Sequence, residues 1–323
     1  MDEKNWTLRH LVVEFRLAKQ VEGKSEKTLS FYGQNLDRIL WWLEKNSLSV
    51  TSLHQVNAQI IRSFLAYVQS TPNRWQTGST SSRKPASMST VDAYRRVFQA
   101  FFSWLVKEEI VATSTNPMRK IPRPKVPVKI IQDIPLPLVK RASENCGHTP
   151  FILAQNKAII LVLLDTGMRL KACHGISLPS IDISSGLIKV WEKGGEQRLT
   201  HLNKTALTAL KEYLTIRHHF ECRSLWLKED GTPLKYSAIQ SMVRRLRKFD
   251  SNQRWTPHTF RNTFAVNLLR GGADTFTLQT LGGWKDLEMP RHYTAALKFE
   301  DAVRVHERTS PADRMAAEDK AKL

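Results

Sequence analysis

The stretch WTPHTFRNTFAVNLL, residues 255–269, sets His258 and Arg261 three residues apart at the head of an apolar run and follows the arginine with Asn262. A plain amphipathic helix explains the tail, where Phe264 to Leu269 would face a core. It does not explain the head. An imidazole and a guanidinium on one helical turn form half of a site that could grip a phosphate, because side chains at i and i+3 share a helix face. The fold and the function both turn on which reading holds.

The whole composition favours an anionic partner. The chain has 323 residues, enough for two hydrophobic cores, so two domains are the default. Hydrophobic residues make up 41%, nine are Trp, 24% are charged, and the mean hydropathy is -0.37, which fits a soluble globular protein. Forty-nine Lys and Arg against 30 Asp and Glu give a formal net charge of +19, with a pI near 10.0. Nucleic acid is the first polyanion to test and an anionic membrane surface the second. The longest apolar run, AIILVLL at residues 158–164, is too short to span a bilayer, and the N-terminal MDEKNWTLRH reads as neither signal nor transit peptide, so a cytoplasmic location is expected and no membrane partner. Cys146, Cys173 and Cys222 are scattered, without CxxC spacing, which argues against a disulfide framework or a zinc site. No metal and no cofactor is expected.

Helical periodicity dominates the first third. SEKTLSFYGQNLDRILWWLEKN begins with a capping candidate, Ser25, and aligns Leu29, Tyr32, Leu36, Ile39, Leu40 and Leu43 on one face. Helices are also read in NAQIIRSFLAYVQ and, after the loop STPNRWQTGSTSSRKPAS, in MSTVDAYRRVFQAFFSWLVKEEI, whose aromatics are core candidates. The composition then shifts: NPMRKIPRPKVPVK, residues 116–129, holds four prolines and five Lys or Arg and reads as a stiff basic linker. Its charges either keep it solvated or lie along a phosphate backbone. Beyond it, LPLVKRASEN and TPFILAQNKAIILVLLDTG read as helices. Leu187 to Trp191 and Arg198 to Leu202 read as a hairpin about EKGGEQ, where Gly194 and Gly195 permit a tight turn. The remainder is helical, and no internal repeat is visible.

Four places in the second half make chemical sense together: TGMR at residues 166–169, Lys193 at the hairpin tip, HTFR at 258–261, and LGGWKDLEMPRHYT, which carries Trp284 and Tyr293. Each alone has an ordinary explanation as a surface or packing residue. In this order the set resembles the tyrosine recombinase, or phage integrase, family, whose second domain reads T-G-x-R, a hairpin lysine, H-x-x-R, L-G-[HW] and a tyrosine. The resemblance extends to the first helices, Thr28 to Leu43, and to the closing SPADRM, and so covers most of the chain.

The resemblance implies a mainly α protein: a helical, SAM-like, DNA-clamping N-terminal domain at residues 1–123, and at 124–323 an α+β catalytic domain of mostly helices with a small antiparallel β-sheet. It implies a site-specific DNA recombinase or integrase that works through a covalent 3′-phosphotyrosine, with Arg169, Lys193, His258, Arg261, Trp284 and Tyr293 as catalytic residues. It also implies a double-stranded DNA recombination site as partner, and a homo-tetramer on two duplexes exchanging strands through a four-way junction. The chemistry agrees. Metal-free phosphodiester cleavage needs a nucleophile, cations for the non-bridging oxygens and a proton for the leaving oxygen. Tyr293 supplies a phenol of ordinary pKa ~10, able to attack and to leave again. Arg169 and Arg261 suit the phosphoryl oxygens through their planar donor forks. Lys193 can protonate the departing 5′ oxygen, His258 can accept the tyrosine proton or donate to a phosphate oxygen, and Trp284 brings an indole donor and packing.

Two positions depart from the pattern. Many relatives carry a His where Asn262 stands, and a carboxylate where Ala172 stands; without that acid, Arg169 would be less rigid or would rely on another such as Asp165. An impaired, DNA-binding accessory protein of the same fold is therefore the alternative reading, and a topoisomerase shares the chemistry. Candidate DNA contacts are Arg83, Lys84, Arg119, Lys120, Arg123, Lys125, Arg244, Arg245 and Arg247, which otherwise form solvated faces. The segment DAVRVHERTSPADRM could pass to a neighbouring copy or fold back on its own subunit.

Overall fold

A computed structural model describes residues 7–46, 53–72, 75, 85–127, 131–191, 195–218 and 221–313. The chain divides into two compact units, Met1–Val128 and Lys129–Leu323. Among the described residues no helix is long and apolar enough to cross a membrane.

Unit 1 is helical: α1 (Leu8–Val21), α2 (Glu26–Lys45), α3 (Ala58–Ser70) and α4 (Met88–Lys107). Each starts on a polar cap, Thr7, Ser25, Asn57 and Ser87, whose side-chain oxygen takes a first-turn N–H that has no partner within the helix. The expected faces are the ones buried. Leu29 of α2 is buried, and Leu36, Ile39, Leu40 and Leu43 of α2 and Tyr94, Phe98, Phe101, Phe102 and Leu105 of α4 enter one core, where Phe15 meets Phe101 and Phe64 meets Phe98 edge to face. The basic proline-rich segment begins docked on this unit rather than free in solvent. Met118 and Ile121 are buried in its core, Arg95 Nε donates to the Ile121 and Pro122 carbonyls at 3.1 Å each, and Arg123 pairs with the buried Asp92 at 3.3 Å. Two apolar residues inside a cationic run, with these polar ties, seat it.

Unit 2 contains α5 (Leu136–Glu144), α6 (Pro150–Thr166), α7 (Leu170–His174), β1 (Ile181–Asp182), β2 (Leu187–Trp191), β3 (Gln197–His201), α8 (Lys204–Ile216), α9 (Tyr236–Arg245), α10 (Pro257–Arg270), α11 (Thr275–Gly282), α12 (Glu288–Thr294) and α13 (Phe299–Thr309). The strands form one antiparallel sheet in the order β1-β2-β3, with Leu187 opposite His201 and Trp191 opposite Gln197. β1 is an addition to the hairpin read from sequence. Asp182 accepts N–H and hydroxyl bonds from Ser184 and Ser185, which folds DISSG into the turn that brings Ile181 beside Ile188.

The long α6 is buried nearly all round, with Ile159, Ile160, Val162 and Leu163 in the main core and α5, α8 and α10 packed around it. It stops where it must. Gly167 adopts φ +54°, and a Cβ there would lie 2.2 Å from the Phe264 ring, so only glycine permits this left-handed cap and the close approach of α10. That stop sets Arg169 at the start of α7. Gly167→Ala should therefore destabilise unit 2 by roughly 2–4 kcal/mol, combining left-handed strain with overpacking. Gly195→Ala, at φ +81° but facing open space, should cost only about 1–2 kcal/mol. Urea denaturation of the two variants checks this, and equal losses would contradict the packing argument.

Candidate active site

Arg261 lies on the inner face of α10 with 6% of its surface exposed. A buried guanidinium is costly unless its N–H groups are taken up. Here Nη1 donates to the Gly167 carbonyl at 2.5 Å and Nη2 to the Gly282 carbonyl at 2.9 Å. Those oxygens end α6 and α11, where helices present unpaired carbonyls and the negative end of the macrodipole, so two helix ends hold one cation. Its Cζ sits 4.1 Å from the centre of the Trp284 ring, which covers it as a cation–π lid. Glycine at 282 is obligatory for this arrangement, since a Cβ would lie 1.7 Å from the indole.

Tyr293, on α12, is 1% exposed and shares a small apolar cluster with Phe264, Val266, Leu269 and Leu278; its ring lies 5.5 Å from that of Trp284. Burial raises the phenol pKa. The Arg261 charge and its hydrogen bond to Tyr293, and then the Arg169 charge, pull it back down. The apolar cluster thus fixes the ring while two cations favour the phenolate. Arg169 occupies the N-cap position of α7 with an exposed side chain. His258, one turn before Arg261, has its pKa lowered, first by partial burial and then by Arg261, Arg254 and His292. Both effects favour its neutral form, in which a ring nitrogen can accept a proton.

Arg169, His258, Arg261, Trp284 and Tyr293 come together in this way. Lys193 lies outside the described residues, as do Arg83 and Lys84. Ala172 is buried in the main core, and Asp165 accepts the Asn203 N–H at 2.7 Å. Asn262 donates to the Gln132 carbonyl at 3.1 Å, beside the bond from Ile134 N–H to Thr263 and the Arg270–Asp133 pair, so it helps tie the incoming chain to α10. Sequence reading did not single out Arg254 and His292, which act electrostatically on His258; His292 adjoins Tyr293 and Arg254 stands four residues before His258, so both are visible near the motifs.

The remaining cationic candidates are exposed: Arg244, Arg245 and Arg247 at the end of α9 and just after it, and Arg119, Lys120, Arg123 and Lys125 in unit 1. The opposite face of α9, Ile239, Met242 and Val243, is buried, so its basic residues are directed outward. Arg123 differs from the others in sharing the Asp92 carboxylate with Arg96. The cationic surround of His258 has a measurable consequence. Histidine NMR titration should place its midpoint below the ordinary ~6.5, and Arg254→Gln should move it upward. A midpoint at or above the ordinary value would contradict the burial of His258 together with the proximity of these charges, and no shift in Arg254→Gln would contradict the charge contribution alone.

Residues 141–300 match the model of the phage integrase family. The chain is 30% identical over 285 residues to tyrosine recombinase XerC of Natranaerobius thermophilus, covering 84% of this chain and 90% of the relative. It is 27% identical to tyrosine recombinase XerD of Shewanella oneidensis over 280 residues, 84% of this chain and 87% of the relative. Among solved structures, the fold is similar to XerH site-specific recombinase bound to a palindromic difH substrate, with a TM-score of 0.67 at 20% identity over 91% of this chain and 82% of that one. It is also similar to a lambda integrase dimer bound to a COC′ core site, with a TM-score of 0.65 at 17% identity over 88% and 97%. With two arginines acting on a buried tyrosine, a histidine near one of them, and relatives aligned along most of its length, the chain belongs to the phage integrase family of tyrosine recombinases.

Proposed function

We propose that this recombinase cleaves and rejoins DNA at a specific site by attack of the Tyr293 oxygen on a phosphodiester. The observation that carries the reading is one buried tyrosine whose hydroxyl is bonded by Arg261 and feels the charge of Arg169 as well. The Tyr293 oxygen–phosphorus bond forms as the bond to the 5′ oxygen breaks. This leaves a 3′-phosphotyrosine and a free 5′ hydroxyl. Arg169 and Arg261 hold the non-bridging oxygens, and because Arg261 is fixed by two helix ends its donors are preorganised for the developing charge. Uncharged His258 takes the phenolic proton, and Lys193 supplies one to the departing 5′ oxygen. The step is close to isoenergetic, one phosphodiester replacing another, so a 5′ hydroxyl from another strand reverses it as strand exchange.

Exchanging two duplexes breaks four strands, and each copy carries one Tyr293, so the working assembly is a tetramer. The DNA-bound lambda integrase dimer supports assembly on DNA. The high positive charge supplies sequence-independent affinity, with Arg119, Lys120, Lys125, Arg244, Arg245 and Arg247 on the phosphate backbone. A binding-only accessory role would not require the nucleophile to be both buried and flanked by two guanidinium groups.

The test uses duplex fragments flanking the protein's own gene, nicked a few nucleotides 3′ of each candidate phosphate so that cleavage traps the covalent species. A slow-migrating adduct on a denaturing gel is expected without added metal and in the presence of EDTA, and it should disappear in Tyr293→Phe. Arg169→Ala and Arg261→Ala should each slow its formation by roughly 10²-fold or more. Noncovalent binding should weaken steeply with salt. An adduct that persists in Tyr293→Phe would refute the assignment. A salt-sensitive complex that never yields an adduct would favour the accessory role.

A further inference from the structure

We propose that Arg198 is a positioning residue for the phosphate clamp: from strand β3 it fixes the C-terminal end of α11 and, through that end, the Arg261–Trp284 stack against Tyr293. This rests on the function proposed above. In the sheet register Arg198 stands opposite Val190, on the inward face that also carries the buried Ile188 and Thr200. Its Nη1 donates to the Leu281 carbonyl at 2.9 Å, and the next carbonyl along, that of Gly282, accepts from Arg261 at 2.9 Å. Two arginines, one from a strand and one from a helix, thus bind successive oxygens at one helix end.

The turn that follows is pressed against the same strand. Gly283 takes φ +64°, and a Cβ there would fall 2.5 Å from Cδ and Nε of Arg198, so the glycine backbone lies directly on the arginine stem. Two residues later Lys285 pairs with Glu196 at 2.6 Å, just before β3 begins. Trp284 sits between these ties. Its indole is the surface that meets both the Arg261 guanidinium and the Tyr293 ring. Loss of the Arg198 bond frees the Leu281 carbonyl and lets residues 281–284 rotate as a unit, which displaces both the stack and the Gly282 oxygen that Arg261 depends on. Displacements near 1 Å at a reacting centre cost on the order of 10²-fold in rate. The Glu196–Lys285 pair is exposed on both sides, so it contributes little by itself.

The full-length protein is tested on the nicked duplex, with single-turnover adduct formation and DNA affinity measured separately. Arg198→Met keeps the stem against Gly283 and removes the donors. It should slow adduct formation by about 10- to 100-fold while leaving Kd within about twofold. Arg198→Lys and Arg198→Gln, which each keep an N–H donor, should restore most of the rate. Glu196→Ala and Lys285→Ala should change it less than about threefold. Hydrogen exchange without DNA gives a second readout: residues 279–293 should exchange faster in Arg198→Met, with α10 unchanged.

Wild-type rate in Arg198→Met, unchanged exchange at 279–293, or parallel losses of rate and affinity would each overturn the inference. Rescue by Lys but not by Gln would assign Arg198 to the phosphate itself and would overturn it too. If the wild-type protein forms no adduct, the proposed function fails first, and the exchange data alone then decide whether Arg198 orders the turn.

Discussion

Arg261 is a cation clamped between the C-terminal ends of two helices, and the geometry of unit 2 follows from keeping it there. Its bonds to Gly167 and Gly282 join α6 to the much later, consecutive helices α10 and α11. Burial of a guanidinium is tolerable only because both helix ends offer carbonyls and a negative dipole. Both ends must also be glycine, at 167 for φ and for the Phe264 ring, at 282 for the Trp284 indole. The same restrictions that satisfy the charge aim it at Tyr293. Stability and chemistry here depend on one set of contacts.

The proposed nucleophile, Tyr293, shows the opposite balance of forces. Burial among Phe264, Val266, Leu269 and Leu278 immobilises the Tyr293 ring but disfavours ionisation, and the two arginines offset that penalty without removing it. Such a tyrosine is a poor nucleophile at rest, and a bound phosphate with a neutral His258 nearby is what would activate it. On the proposed mechanism, Tyr293 is thus held in position yet protonated until a phosphate arrives.

Much of this was legible in the residues, because the controlling features are local. The apolar faces of α2 and α4 follow helical spacing, and Thr166–Gly167 marks the end of α6 through glycine chemistry alone. The polar head and apolar tail of residues 255–269 divide between site and core as their spacing requires. What was not legible depends on contacts between distant segments. Met118 and Ile121 seat a stretch whose composition reads as a stiff basic linker. Asn262, a departure from the family pattern, bonds to Gln132 130 positions away. Arg198 resembles any strand arginine until the register turns it inward toward Leu281.

The most direct measurement of the central claim is mass spectrometry of the covalent complex after nuclease trimming and trypsin digestion. Cleavage after Arg291 and Lys298 releases HYTAALK, residues 292–298. The account predicts that this peptide carries a 3′-linked nucleotide on Tyr293 and that no other peptide is modified. Attachment to any other residue, or a trapped complex with no covalent nucleotide at all, would contradict it.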